Sequence, residues 1–541
     1  MCKTYTNITF KFTVLVFITV FLSVIANRSY SQDNNISTDL KFSRALEIID
    51  EYYVDTVNKP QLVEKAIKAM LKELDPHSVY LTKKQLDKAN ETLLGNFEGV
   101  GITYQIIKDS IYVISTISEG PSDLVGIMDG DRIIEIDGEN STGKKLNSDY
   151  VQKKLRGEKN TKVQVTVFRK STNEILDFTI SRNKIPIYSV DAYFMLTPNI
   201  GYIKVNRFAK NTINEYSMGF FALQLSGMKS LILDLRGNSG GYLKTAINLA
   251  DEYLKKDNII VYTEGVNNLK FEYNSSSKGN FEKGKLVVLI NEGSASASEI
   301  VSGAVQDWDR GIIIGRRSYG KGLVQRPYYL PDGSVIRLTT ARYYTPSGRC
   351  IQKSYKDGLD KYSKDLTNRF KHGEFVNQDS IHFPDSLKYY TNKNRLVYGG
   401  GGIMPDIFIP LDTTRDSEYY KTIRKKRILN NFCIEYIDIN RKRLENEYPT
   451  FEIFNKYFIV NEDFLNDFFE FSKKEGVEKN EADFIKSEKY ISHQLKALTA
   501  SMLFDNSKYY QINVDIDDDI HKAIEIINDK KYFKEKDIFY K

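Results

Sequence analysis

At 541 residues the chain exceeds what one hydrophobic core usually organises, so roughly two to four domains are expected. Hydrophobic residues make up 41% and aromatics 12%, led by 36 Tyr and 30 Phe, which excludes global disorder and a small disulfide-stapled module. Lys plus Arg exceed Asp plus Glu by 77 to 71, and the resulting +6 is too dilute over this length to form a nucleic-acid footprint.

Lys3 and Lys11 precede an uncharged apolar run, 12–26, which is followed by Asn27, Arg28 and the small-residue stretch Ser29-Tyr30-Ser31. That is the pattern of a secretory signal, so residues 1–31 are expected to be removed after Ser31. The run falls short of the ~20 apolar residues of a comfortable membrane span; left uncleaved, it would act as an N-terminal anchor. In both cases the expectation is an exported protein of the periplasm or cell envelope. Cys2 precedes the apolar run and is not positioned as a lipoprotein cysteine, while Cys350 and Cys433 permit one disulfide and require none.

Residues 32–96 are expected to be helical. Phe42, Ala45, Leu46, Ile49, Tyr52 and Tyr53 recur at helical spacing, Leu62, Ala66, Ile67, Met70, Leu71 and Leu74 repeat it, and Asp75-Pro76 stops it. At Phe97 the character changes to short strands, 111–117, 132–136 and 163–169, punctuated by Gly120-Pro121 and Asp129-Gly130-Asp131, which marks a β-rich module over 97–182. From Asn199 strands alternate with helices: strands 200–205, 230–235, 258–262, 285–290 and 312–315, helices 215–225, 243–254 and 297–307. Such alternation indicates α/β layering over 183–411, interrupted by a polar insertion at about 354–394. After Leu411 the chain is charged and aromatic, with Phe484, Ile491, Leu495, Leu498 and Met502 at helical spacing, so 412–541 reads as a helical C-terminal domain.

The chemistry concentrates in two segments. Ser294-Ala295-Ser296-Ala297-Ser298-Glu299 lies between a buried strand and a helix, where unpaired N–H groups and the positive helix end can stabilise an oxyanion. Ser296-x-x-Glu299 is also a capping box, which would need no chemistry. A serine needs a base, and none of the five histidines, His77, His372, His382, His493 and His521, sits in a nucleophile or metal pattern. Lys321, in Gly320-Lys321-Gly322, is the alternative, provided burial lowers its amine from about 10.4 towards 7–8; otherwise it is a solvated lysine in a glycine turn. Gln325 could orient the amine without adding charge. On an extended strand the two would be about 13 Å apart, so their contact requires a bend, placed at Gly322. Gly315-Arg316-Arg317-Ser318-Tyr319-Gly320-Lys321 also fits the start of a phosphate-binding loop, but Gly322 stands where Ser or Thr should hold Mg²⁺, and Pro327 breaks a following helix.

Taken in order, Leu231-Ile232-Leu233-Asp234-Leu235-Arg236-Gly237-Asn238-Ser239-Gly240-Gly241, Gly293 to Glu299 and Tyr319-Gly320-Lys321-Gly322-Leu323-Val324-Gln325 resemble the carboxyl-terminal processing, or tail-specific, proteases of the S41 family. Leu74-Asp75-Pro76-His77-Ser78, Tyr343-Tyr344-Thr345-Pro346-Ser347-Gly348-Arg349 and Gly401-Gly402-Ile403-Met404-Pro405-Asp406 resemble further motifs of that family, which extends the likeness over about residues 40 to 411.

The resemblance implies a crotonase-type (ClpP-like) α/β protease core with an inserted PDZ domain, to which the spacing adds N-terminal helices and a helical C-terminal domain that the family pattern does not cover. It implies Ser296 as nucleophile, Lys321 as base 25 residues later, and Gln325 as the residue holding the lysine. The oxyanion would be held by the N–H of Ala297 and of Gly241, in preference to Gly240. Within 97–182, Gly99-Val100-Gly101-Ile102 matches the carboxylate-binding loop of a PDZ domain, whose N–H groups capture a chain terminus while the peptide adds as a strand. Expected partners are protein or peptide substrates with free C-terminal tails, together with an activating adaptor protein and a homo-oligomeric state as options; no metal, cofactor or nucleic acid is called for. A catalytically silent scaffold that binds tails through the PDZ module is the alternative.

Overall fold

The computed structural model describes residues 38–541 apart from 108, 144, 145, 171, 415, 530, 537 and 539–541, so the expected signal peptide lies outside the described residues. No helix among the described residues is long and apolar enough to cross a membrane. The chain divides into two compact units at Tyr80.

In the first unit, a helix over 38–52 and the helix Lys59–Lys72 form as their spacing predicts. Asn58 caps the second helix by accepting the N–H of Gln61 (3.1 Å). The Asp75 carboxylate then closes the turn, accepting the N–H groups of His77 (2.7 Å) and Ser78 (2.9 Å) and the Ser78 hydroxyl (2.5 Å).

The second unit is organised by a six-stranded sheet in the order Val190–Thr197, Ile200–Val205, Ser230–Asp234, Lys285–Ile290, Ile312–Gly315, Ile407–Phe408. The first pair is antiparallel and the rest are parallel. The four central strands carry apolar runs because both faces are covered. Side chains alternate between the faces. Ile203, Leu231, Leu233, Val288 and Ile290 meet helices Thr212–Leu225, Leu243–Asp251 and Ala297–Asp307, whereas Tyr202, Ile232, Val287, Leu289 and Ile314 meet Ile520, Ala523, Ile527 and Phe533. The α/β layering expected over 183–411 is therefore completed by a helix, Asp518–Asn528, from the far C-terminus.

A second group of strands builds out from this core. Val335–Tyr344 pairs antiparallel with Ile259–Gly265 and with Leu323–Tyr329, and Asn268–Asn274 adds to Ile259–Gly265. The module over 97–182 has its own core, including Ile111, Val113, Ile133, Val165 and Val167, beneath strands Ile102–Ile107, Ser110–Thr116, Arg132–Ile136, Lys162–Arg169 and Glu174–Ser181. Its entry and exit are zipped together by Asn96–Gly99 pairing with Asn183–Pro186.

The C-terminal segment is helical as expected, packed around an aromatic cluster that includes Phe432, Phe464, Phe468 and Phe471. It also touches the β-rich module: Arg132 pairs with Asp438 (2.9 Å), and Gln105 bonds Asn430 (2.6 Å) and Asn431. Cys433 is buried within this segment, and both Cys433 and Cys350 are free thiols.

Candidate active site

The strand Lys285–Ile290 leaves the sheet into a turn that fastens itself with its own polar groups. Ser294 Oγ donates to the carbonyl of Leu235 (2.8 Å) and accepts the N–H of Asn291 (2.9 Å), while Ser298 Oγ donates to the carbonyl of Asn238 (2.8 Å). Both of these serines are fully buried and occupied by structure. Ser296, between them, is half-buried and takes φ +54°, ψ −108°. A non-glycine residue adopts that conformation only where its surroundings over-determine it. The helix Ala297–Asp307 starts at the next residue, and all of its residues are buried.

The surroundings responsible are Glu299 and Tyr343. Glu299 is fully buried, and one carboxylate oxygen accepts the N–H of Ser296 (2.7 Å) and of Lys321 (2.9 Å). The other accepts the Ser318 hydroxyl (2.5 Å) and the N–H of Gly320 (2.7 Å). Burial pushes this carboxyl up to about 7, against the pull of the donors around it. Capping and site-building are thus one arrangement: the contact expected from Ser296-x-x-Glu299 is present, and the same carboxylate gathers the Lys321 loop. From the opposite side the hydroxyl of the buried Tyr343 donates to the carbonyls of Ser296 (3.0 Å) and Lys321 (2.6 Å).

Lys321 is half-buried, and its Nζ donates to Gln325 Oε1 at 3.4 Å. The expected bend is real but lies elsewhere. Lys321 precedes the strand Leu323–Tyr329, the chain turns at Gly320 with φ +88°, and the pairing register shifts between Val324 and Gln325. Gly322 matters for space instead, since a Cβ there would lie 2.9 Å from the N of Gln352. A strand, not a helix, follows Lys321, which removes the phosphate-loop reading.

The Gly-Gly segment runs alongside the Ser296 turn. A Cβ on Gly240 would sit 2.9 Å from Ser296 Cβ, and one on Gly241 would sit 2.1 Å from the carbonyl oxygen of Phe208, so neither position admits a side chain. The N–H of Gly240 is committed to Asn238 Oδ1 (2.9 Å). Among the described residues no acceptor is recorded for the N–H of Gly241 or of Ala297, which leaves this pair free to serve a ligand oxygen. Just upstream, Arg236 is clamped by Asp234 (2.6 Å), Asp517 (2.8 Å) and Asp519 (2.7 Å), fastening the start of this segment to the C-terminal helices.

Sequence reasoning passed over Tyr343, seen only as part of a motif, and saw Glu299 only as a cap. Their roles depend on contacts across 47 and 22 residues, which spacing along the chain does not reveal.

In the β-rich module, Val100, Gly101 and Ile102 line a cleft of about 390 Å³ with Phe97, Tyr104 and Leu155. The carbonyl of Val100 is tied down by the N–H (3.0 Å) and hydroxyl (2.7 Å) of Ser122, which fixes the loop without using its own N–H groups. Among the described residues no group of three or more His, Cys, Asp or Glu is placed to hold a metal ion.

Comparison with known proteins agrees with this architecture. The profile of Peptidase family S41 matches residues 199–360, that of the PDZ domain 99–180, that of the activating protease CtpB N-terminal domain 22–85, and that of a family of unknown function (DUF8443) 419–505. The chain is 34% identical to the carboxy-terminal-processing protease of Bartonella bacilliformis over 343 residues, 62% of this chain and 78% of that protein. It is 30% identical to the carboxy-terminal processing protease CtpB of Bacillus subtilis over 392 residues, 72% of this chain and 79% of that protein. Among solved structures, the photosystem II D1 C-terminal processing protease aligns over 57% of this chain and 89% of its own, with 28% identity and a TM-score of 0.33. With an α/β core, a PDZ domain and a strained serine facing a lysine loop, the chain belongs to peptidase family S41 and is a serine-type C-terminal processing peptidase.

Proposed function

We propose that Ser296 is the nucleophile of this peptidase and Lys321 its general base. The neutral Lys321 amine takes the Ser296 proton as Oγ attacks the scissile carbonyl carbon, and the N–H groups of Ala297 and Gly241 hold the resulting oxyanion. The lysine then returns its proton to the leaving amine. Water, activated by the same amine, releases the acyl group from Ser296. Gln325 orients the ammonium through the contact described above. One observation carries this reading: Ser296 and Lys321 share two main-chain partners, Glu299 and Tyr343, so the two residues are held as a unit.

The PDZ cleft around Gly99 to Ile102 captures the free carboxylate of the substrate tail, which the anchored loop and its apolar walls support. The signal pattern in residues 1–31 supports export. The test of the catalytic assignment is casein degradation by Ser296→Ala and Lys321→Ala. Each is expected to be folded and inert, because nucleophile and base act together; turnover by folded Lys321→Ala would remove the lysine from the mechanism.

A further inference from the structure

The loop from Arg317 to Gly322 is held at nearly every main-chain group. The N–H of Tyr319 donates to the carbonyl of Ser294 (2.9 Å), that of Gly322 to Gln352 Oε1 (2.8 Å), and the carbonyl of Gly320 accepts the N–H of Lys353 (3.0 Å). Glu299 and Tyr343 account for the N–H groups of Gly320 and Lys321 and the carbonyl of Lys321. The carbonyl of Gly322 accepts the N–H of Tyr343 (3.0 Å), and those of Arg317 and Ser318 are both taken by one guanidinium of the polar insertion. Arg369, on the short helix Asp365–Lys371 of the polar insertion, donates Nη2 to Arg317 O (2.8 Å) and Nη1 to Ser318 O (3.0 Å).

Arg369 is 4% exposed, and its Nε donates to Glu374 (3.2 Å), which also holds the side chain of Arg317 (2.6 Å). Burial and the neighbouring Arg317 lower its pKa to about 10. A buried cation aimed at two adjacent carbonyls uses the planar fork that arginine has and lysine lacks. The same insertion reaches the loop a second time, through Tyr362, whose ring meets that of Tyr319 edge-on with centres 6.5 Å apart. Lys353, just before the insertion, places its Nζ 3.9 Å from the ring centre of Tyr319 and 4.4 Å from that of Tyr362, and pairs with Asp365 (2.9 Å).

We propose that Arg369 is a positioning residue for peptide hydrolysis, and that the insertion acts as an external brace on the Lys321 loop. It touches no reacting atom. It fixes the two peptide groups preceding Tyr319, and through them the place from which the Lys321 amine meets Ser296. This inference rests on the assignment of Lys321 as base. It also gives a function to the helix Asp365–Lys371, which lies beyond residue 360, where the S41 match ends.

The test is a single-turnover measurement with enzyme in excess over a quenched fluorescent peptide taken from a casein site that the wild-type chain cuts. In this format the maximal rate reports the chemistry of the competent molecules, and an inactive fraction only raises the half-saturating enzyme concentration. Arg369→Met is expected to lower the maximal rate by about 10- to 100-fold, as sub-ångström to ångström misplacement of a catalytic group does, with half-saturation unchanged. Arg369→Lys should recover part of the loss, since an ammonium can reach one of the two carbonyls. An unchanged maximal rate overturns the proposal, including the case where only half-saturation rises, and so does failure of both variants to fold. Lys321→Ala is the control. Its turnover would sink the base assignment and this proposal together, whereas an inert Lys321→Ala beside a normal Arg369→Met would sink this proposal alone.

Discussion

Ser296 and Lys321 stand 25 residues apart in the chain yet are bound by the same two side chains, the Glu299 carboxylate taking both N–H groups and the Tyr343 hydroxyl reaching both carbonyls. Neither contact engages the reactive groups. The site is therefore assembled through the backbone of the two residues, apart from the contact of the lysine amine with Gln325.

Glu299 makes the activity pH-dependent in a direction that can be stated. Its donors all aim at an acceptor, so protonation puts an O–H against them, and with the carboxyl at about 7 this happens as pH falls through neutrality. Log kcat/KM should thus climb as pH rises through about 7, and Glu299→Gln should flatten that rise and lower the rate. For stability the sign is opposite. The folded pKa lies above the unfolded one, so the contribution from this group is full below about 4.5 and is lost as pH rises through about 7. A flat profile through about pH 7 in the wild type would argue against the role of the Glu299 carboxylate.

Tyr343→Phe removes one hydroxyl and takes the donor from the buried side of the Lys321 carbonyl, while the Ser296 carbonyl keeps the N–H groups of Glu299 and Ile300. The expected cost is about 1–3 kcal/mol, expressed as a lower kcat with little change in KM, because nothing at the substrate face is altered. Steady-state kinetics beside a thermal melt separate this from unfolding.

Gly241→Ala and Gly240→Ala should both be nearly inactive, for steric reasons that differ. The first forces a methyl against the Phe208 carbonyl and the second against Ser296 itself. Were the Gly240 N–H the oxyanion donor, Asn238→Ala, which frees it from its present acceptor, would raise or preserve the rate; a fall is expected, because Asn238 holds the turn.

Arg349 and Asp307 form a fully buried ion pair at 2.6 Å, joining the end of the Ser296 helix to the segment after Tyr343. Arg349→Ala strands a carboxylate in the interior and should cost about 3–5 kcal/mol of stability. Denaturant titration of the inert Ser296→Ala background would measure it without self-digestion.

For the PDZ domain, a peptide ending in a free carboxylate and apolar residues should bind better than its amide, since amidation removes the charge that the loop complements. Gly101→Val should weaken that binding, as a Cβ there already meets Ile185 at 3.1 Å and Pro121 at 3.2 Å. Fluorescence anisotropy on the Ser296→Ala chain reads both, and equal affinity for acid and amide would remove the carboxylate from recognition.

What the sequence determined by itself is whatever short-range chemistry dictates. Apolar runs at 230–235, 285–290 and 312–315 read as strands and are buried on both faces, and Ala297–Asp307 emerged as a helix with the expected bounds because cap and spacing agree. Ser296, Lys321 and Gln325 were singled out by residue type, glycine context and family motif order, and the structure brings Lys321 and Gln325 into contact. The strands Asn268–Asn274, Leu323–Tyr329 and Val335–Tyr344 were not, since half-exposed strands have weak alternation and are fixed by their partners. The tertiary structure alone shows that Ser294 and Ser298 spend their hydroxyls on carbonyls 59 and 60 residues away. It also decided that a C-terminal helix covers the second face of the sheet and that Arg369 braces the Lys321 loop. These are contacts between segments far apart in the chain, and a buried polar group takes whichever partner the packing delivers, which no local pattern records.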